Sequence, residues 1–364
     1  MTRILRPLLL VIAGSAVALA QNTPVAANAA QPDHATSYYQ YTLAHMYANL
    51  AAESGNADTA RQAIAAYKAA IAADPLSAML ADELSEVYIQ FNMLREARTD
   101  AEDAIKRNPN DIAAHRLLAR IAVRQINDPQ TNRINSAMID KAVEEFKKVT
   151  ELDPKDADSW TMLGRLQRVG QDSDGAQNSF QKALDSQPDN EDALVGMASV
   201  YLDKGDNAKA ADMFKRAADK NPSAAALKRL AGTYEQMHEY GLAADTIKKA
   251  LTYNPPDATD LRKALAEDLL NAGQAPEALE AYAAVAAEDT EDFQSHLRMS
   301  QIYVQMGEFT KAREESDKAQ KIEPENIEVR YNDVSILQAE GKPKDAIATL
   351  EKILKSTEAK TYSA

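Results

Sequence analysis

The stretch ADSWTMLGRLQRVGQDSDGAQNSFQKALDSQP, residues 157–188, decides the fold. Trp160, Leu163 and Gly164 fall at i, i+3 and i+4. Ala176, Phe180 and Ala183 follow at i, i+4 and i+7, and Pro188 closes the unit. Two apolar stripes at helical spacing, a short polar break and a terminal proline predict a helical hairpin. The hairpin recurs. With Pro188 counted as position 32 of a unit, Pro75, Pro109, Pro154, Pro222, Pro255 and Pro324 hold the same place, at intervals of 34, 45, 34, 34, 33 and 69 residues, and Thr290 stands in for the proline missing from the longest gap. Ala63, Ala97, Ala142, Ala176, Ala210, Ala243, Ala278, Ala312 and Ala346 form a second column in step with the first.

Nine units in phase, over residues 37–358, make an unrelated alanine-rich bundle untenable. The unit resembles a tetratricopeptide repeat, W-x2-L-G-x2-Y, then A-x3-F, then P. Gln167 is a departure, because the family pattern has Tyr there. The resemblance implies an all-α fold, a right-handed α-solenoid of tandem helix-turn-helix units. It also implies protein–protein interaction, with an extended peptide lying along the wall formed by the first helices of successive repeats.

The 364-residue length suggests two globular domains, but a repeat array escapes that arithmetic because each unit buries its face on its neighbours. Residues 1–20 stand apart. Arg3 and Arg6 precede an apolar run, Leu8 to Leu19, too short to span a bilayer, and Ala18-Leu19-Ala20 forms an A-x-A site before Gln21. This reads as a secretory signal peptide, so the expected address is exported, periplasmic or extracellular, with no stable membrane insertion after cleavage. Absence of cysteine suits an oxidising compartment. The formal charge is -14, and losing Arg3 and Arg6 with the leader lowers it by two, to -16. Such an acidic excess argues against nucleic acid and anionic lipid as partners. Residues 21–36, rich in Ala, Asn, Gln and Pro without a period, read as a linker, and 359–364 as a tail.

Two repeats carry insertions. The first holds about seven extra residues near Gly55, which a lengthened first helix accommodates. The third holds eleven near Asn127-Asp128-Pro129-Gln130, which read as a polar loop. Asp111, Asp156, Asn190, Asp292 and Asn326 each lie two residues past the proline position, where a side-chain oxygen caps the next helix. In the ninth repeat Asp333 replaces the expected Leu. Its second helix should place Ile347, Leu350, Ile353 and Leu354 on one side, an edge suited to weak self-association through the C-terminal repeat.

No catalytic constellation is legible. The chain has no G-x-S-x-G, Walker-type loop or H-E-x-x-H; Ser179 to Lys182 fits S-x-x-K only by chance, since Phe180 is a packing residue. Among the five histidines, His115 and His296 occupy the place of Trp160 and read as packing residues rather than metal ligands. The reading is therefore non-enzymatic, without cofactor or metal: a scaffold of the cell envelope that binds a protein or peptide partner. The alternative is a polysaccharide-export, carbohydrate-binding or enzymatic module on the same solenoid, which would need aromatic platforms or clustered acids.

Positions 2, 5, 9 and 12 of each first helix point away from the packing stripe. Arg116 and Arg120 hold positions 5 and 9 of the third repeat, with Arg124 one turn further on; Arg165 and Arg168 hold positions 9 and 12 of the fourth. Arginine grips carboxylates through a planar fork. The family's carboxylate-clamp members hold acidic tails with basic groove residues, although their Lys and Asn pattern is not reproduced here. These five arginines are the partner-binding residues that the sequence suggests, with an acidic segment as the occupant.

Overall fold

Alanine at one position of every repeat sets the helix spacing, and the computed structural model shows what it permits. The structure describes residues 32–75, 77–128 and 133–355. Eight of the nine alanines in the second column are fully buried, and Ala346 is 2% exposed. A methyl group is all that fits where the two helices of a hairpin meet. Eighteen helices are present among the described residues, two per repeat. The chain divides into two compact units, residues 1–77 and 78–364.

The first unit is one hairpin, α1 (His34–Ser54) and α2 (Ala57–Ala73). At 21 residues α1 absorbs the insertion of the first repeat, and Gly55 turns the chain at φ 65°. The helix begins at His34, inside the segment read as linker, because Asp33 accepts from the Thr36 amide at 3.1 Å. The apolar run and A-x-A site of residues 1–20 lie outside the described residues. Among the described residues no helix is long and apolar enough to cross a membrane.

The second unit contains eight hairpins. It opens with α3 (Ala78–Gln90) and α4 (Leu94–Arg107), then α5 (Ile112–Arg124) and α6 (Ser136–Leu152). There follow α7 (Ala157–Val169) with α8 (Ser173–Ser186), α9 (Glu191–Asp203) with α10 (Asn207–Lys220), and α11 (Ala224–Gln236) with α12 (Tyr240–Leu251). Last come α13 (Ala258–Asn271) with α14 (Ala275–Glu288), α15 (Phe293–Gln305) with α16 (Phe309–Ile322), and α17 (Ile327–Ala339) with α18 (Pro343–Lys355). The insertion of the third repeat is not the plain loop expected from its polarity. Part of it pairs as an antiparallel ribbon, β1 (Asn127–Asp128) with β2 (Arg133–Ile134), and part lengthens α6 to 17 residues.

The turns obey one rule. At position 15, between the two helices, the backbone is left-handed, with φ 75° at Gly205 but also 53° at Asn92, 64° at Gln171 and 60° at His238. The following amide reaches back to the carbonyl five residues earlier, as Asp172 does to Gln167 and Asp206 to Tyr201, both at 2.8 Å. This closure satisfies carbonyls that the helix end leaves free. At the other end, Asp111, Asp156, Asn190 and Asn326 cap their helices as expected. Asp292 does not: its carboxylate takes the Ser295 hydroxyl and the Lys263 ammonium instead.

Packing between hairpins is led by the side chain four residues after the alanine. Phe180 is wholly buried, and a Cβ on Gly164 would sit 2.9 Å from its ring. A Cβ on Gly196, in the next repeat, would collide with the same ring. In α18 the expected apolar seam is split: Ile353 is buried with Val334 and Ala346, whereas Ile347 and Leu354 stay exposed.

Two substitutions should therefore act in opposite directions. Gly196→Ala should destabilise by about 1–3 kcal/mol, since the caged Phe180 ring cannot yield without shifting its neighbours. Gln171→Gly should stabilise by about 1 kcal/mol, by removing the cost of a left-handed side-chain residue. Denaturant titration followed by circular dichroism should move the two midpoints to opposite sides of the wild type.

Candidate functional site

The five arginines do not form the open basic patch that their spacing implies. Arg116 is 3% exposed, and its guanidinium closes on Asp156, the cap of the next repeat's first helix. Arg120 turns to the preceding repeat, pairing with Asp82 at 3.0 Å and with Glu86. Arg165 pairs with Asp192 and Arg168 with Asp203, each at 2.6 Å. Arg124 is exposed at the end of α5. Position 5 does not point outward as expected, since Arg116 is buried, and on this face acids of the neighbouring repeats meet the arginines. Pairs as exposed as the last two contribute about 0–1 kcal/mol. The buried Arg116–Asp156 pair is different in kind, because removing one partner strands a charge at a cost of about 3–5 kcal/mol.

The Arg116 pair recurs. Lys228 and Lys263 hold position 5 of the sixth and seventh repeats, and each pairs with the aspartate opening the next repeat: Lys228 with Asp257 at 2.6 Å and Lys263 with Asp292 at 3.0 Å. In the fourth repeat that position is Thr161 and the following cap is Asn190, so cation and acid are absent together. A second recurrence sits at position 4, where a ring or guanidinium N–H donates to the proline carbonyl six residues earlier: Trp160 to Pro154 at 3.0 Å, His115 to Pro109 at 3.0 Å, Arg330 to Pro324 at 3.1 Å. The other nitrogen of His115 faces Glu145 at 2.7 Å. The bond to Glu145, resisted by burial and aided by the Pro109 carbonyl, raises its pKa. His296 pairs with Glu315 at 2.6 Å in the eighth repeat. Both histidines are thus packed and partnered, and among the described residues no group of His, Asp or Glu is placed to hold a metal ion. Ser179 of the S-x-x-K match is buried and donates to Gln167 at 2.5 Å, so Gln167, the departure from the family pattern, holds it.

The open surface lies elsewhere on the same face. A cavity of about 680 Å3 runs across α13, α15 and α17. Its walls are the outward positions of three successive repeats: Lys263 and Glu267 at 5 and 9 of the seventh, then Gln294, Leu297, Gln301 and Val304 at 2, 5, 9 and 12 of the eighth. Glu328, Tyr331 and Ser335 follow at 2, 5 and 9 of the ninth. Four amides, Gln294, Gln301, Gln305 and Asn332, stand among the lining residues beside four charged ones, Lys263, Glu267, Arg298 and Glu328. Each amide carries donor and acceptor together, the complement of an extended main chain. Arg298 is exposed at the rim, bonded only to Gln301 at 3.2 Å, and among the described residues it makes no ion pair. Tyr331 is 43% exposed.

Polar groups beneath the cavity explain its character. Where the fourth repeat packs Phe180 on glycine, the eighth has Ser316 and Ser300 with Asn332 between them. The Asn332 amide donates to Ser300 at 2.7 Å and Ser316 at 3.1 Å, and Ser316 donates to Asp333 at 2.7 Å. Asp333, the misfit of the ninth repeat, is thereby accounted for. In the seventh repeat Tyr282 takes the Phe180 place; its hydroxyl is buried without a partner and lines the cavity. Polar groups at four packing positions, Tyr282, Ser300, Ser316 and Asn332, are the sequence signal for this cavity.

Asp268 lies nearby on α13, at a position filled elsewhere by Leu166, Val200 and Ile302. It is 4% exposed, one carboxylate oxygen has no partner, and burial, reinforced by Glu235 and Glu267, pushes its pKa up to about 7.

Comparison with known proteins agrees with this architecture. Residues 147–261 match the TPR domain of cytochrome c-type biogenesis protein H, and residues 269–331 match a tetratricopeptide repeat family. The Arabidopsis thaliana protein CTR9 homolog is 30% identical over 99 residues, 27% of this chain and 9% of that protein. The peroxisomal targeting signal receptor of Candida albicans is 23% identical over 191 residues, 41% of this chain and 32% of the receptor. The chain thus spans a minor part of either relative. Among solved structures, YrrB, described as a TPR protein with an unusual peptide-binding site, is 25% identical with a TM-score of 0.42, over 52% of this chain and 98% of its own. Pseudomonas aeruginosa pilF is 16% identical with a TM-score of 0.35, over 57% and 96%.

Two titrating groups fix a pH response. Asp268 keeps its proton in the folded chain where the unfolded chain has lost it, so stability falls as pH rises from about 4 to about 7. For His115 the folded pKa lies above the unfolded value, so its contribution is full below about 6.5 and lost as pH rises through the folded pKa. Both signs agree between pH 5.5 and 8.5. Asp268→Ile should stabilise the protein at pH 8.5 by on the order of 2 kcal/mol more than at pH 5.5, and should flatten the decline. Thermal melts across this range check both variant and wild type.

Proposed function

We propose that this chain, a tetratricopeptide-repeat protein, is a non-catalytic scaffold that holds an extended segment of a partner protein in the groove of its seventh, eighth and ninth repeats. Tetratricopeptide repeats mediate protein–protein interaction, and the finer assignment rests on the amide-lined cavity. It lies on the outward positions of three consecutive first helices. Gln294 and Gln305, both exposed, offer paired donors and acceptors to a main chain, Tyr331 offers an aromatic contact, and Arg298 a cation not engaged by an acid. The arginines of the third and fourth repeats serve the chain's own cohesion first. An acidic partner segment would have to displace Asp192 and Asp203 to reach Arg165 and Arg168.

The location belongs to the same proposal. The charged start, apolar run and A-x-A site of residues 1–20 support export, with the scaffold acting in the cell envelope or outside the cell. The match over residues 147–261 to the TPR domain of a cytochrome c-type biogenesis protein supports a role in assembling other proteins.

Selection of peptides from a displayed random library tests the groove. Peptides bound by the wild type should lose at least tenfold in affinity, about 1.4 kcal/mol, to Arg298→Ala/Gln301→Ala/Tyr331→Ala. They should bind Arg165→Ser/Arg168→Ser within twofold of the wild type. The reverse ranking would place the partner on the fourth repeat and refute the assignment.

A further inference from the structure

The fourth repeat carries a second opening that the peptide groove does not use. A cavity of about 530 Å3 is bounded by Pro154 and Lys155 in the turn before α7, by Trp160 on α7, and by Lys182, Asp185 and Ser186 on α8. Trp160 is half-buried, and its indole N–H is tied to the Pro154 carbonyl at 3.0 Å, which fixes the ring. In the third and eighth repeats the same position is shut: His115 is closed by Glu145 and His296 by Glu315, three residues after the buried alanine. In the fourth repeat that acid is replaced by Ser179, which is turned away to Gln167. No acid closes over the ring at this one repeat of the three; Trp160 packs in part against the cores on either side and lines the cavity with the remainder. Beside it Lys155 and Lys182 are exposed, and among the described residues neither makes an ion pair. Both ammonium groups therefore face the cavity without an acid bound to them, in a chain of charge -14.

We propose that this cavity binds a small ligand combining a flat ring with an anionic group. The fixed indole supplies a face for stacking. The two ammonium groups are flexible point charges suited to a carboxylate or phosphate, and Asp185 and Ser186 can accept from and donate to ring hydroxyls. An acidic sugar and a nucleoside monophosphate both present this chemistry. A neutral sugar offers the ring face without the charge.

Trp160 is the only tryptophan, so its emission reads this site alone. The full chain should be titrated, with excitation at the red edge of the indole band, with a galacturonate oligomer, with AMP and with maltotriose. A saturable change with the galacturonate oligomer, with AMP or with both supports the site, and the responding compound names the source. Lys155→Ser/Lys182→Ser should weaken that response at least tenfold and leave the emission of the free protein unchanged. An equal response to maltotriose, no saturable response to either anionic compound, or unchanged affinity in the double variant would overturn the proposal.

Discussion

A hairpin of two helices cannot bury its own apolar stripe, and in the second unit every feature follows from the need for the next hairpin to cover it. The alanine column brings the paired helices close, and the residue four positions later is driven into the next repeat. Phe180 shows the coupling: it fills space left by Gly164 in its own repeat and by Gly196 in the next. The repeat is thus an interface as much as a unit, and its energetics are those of neighbours in contact.

Charge obeys the same neighbour rule. Positions 2, 9 and 12 of the first helices lie beside their equivalents one repeat away, and position 5 is buried against the next repeat at Arg116, Thr161 and Leu297. A cation there is claimed by an acid on the adjacent helix, as Arg116, Lys228 and Lys263 are by Asp156, Asp257 and Asp292. A face built this way holds itself shut wherever opposite charges alternate. It opens in the last three repeats, where the amides of Gln294, Gln301 and Gln305 stand among the charged groups and Arg298 has no acid partner among the described residues. The buried layer below is altered as well: hydroxyl and amide groups at Ser300, Ser316 and Asn332 replace the ring-on-glycine packing of the fourth repeat.

Periodicity made the fold legible. Prolines and alanines in phase gave nine hairpins, and the four capping residues that act as caps were visible as Asp or Asn at a constant offset. Asp292 was misjudged because a cap is read from one residue, whereas its partners, Lys263 and Ser295, decide how the carboxylate is used. The ribbon at Asn127–Asp128 escaped notice because two paired residues carry no alternation to detect. The site was half legible. Positions 2, 5, 9 and 12 line the cavity, although Leu297 at position 5 is also part of the core. That four of the five arginines are paired was not legible, because the acids that meet them lie 27 to 40 residues away in sequence. Aligned by repeat, Arg116 and Asp156 form a visible pair; read along the chain, they do not.

The central claim is that partner contact falls on the amide-lined face of the last three repeats and not on the charge-paired face of the third and fourth. Amide hydrogen exchange, with and without a bound peptide, measures this directly. The account predicts slowed exchange in α13, α15 and α17, with α5 and α7 unchanged. Protection confined to α5 and α7, with none across the last three first helices, would contradict it.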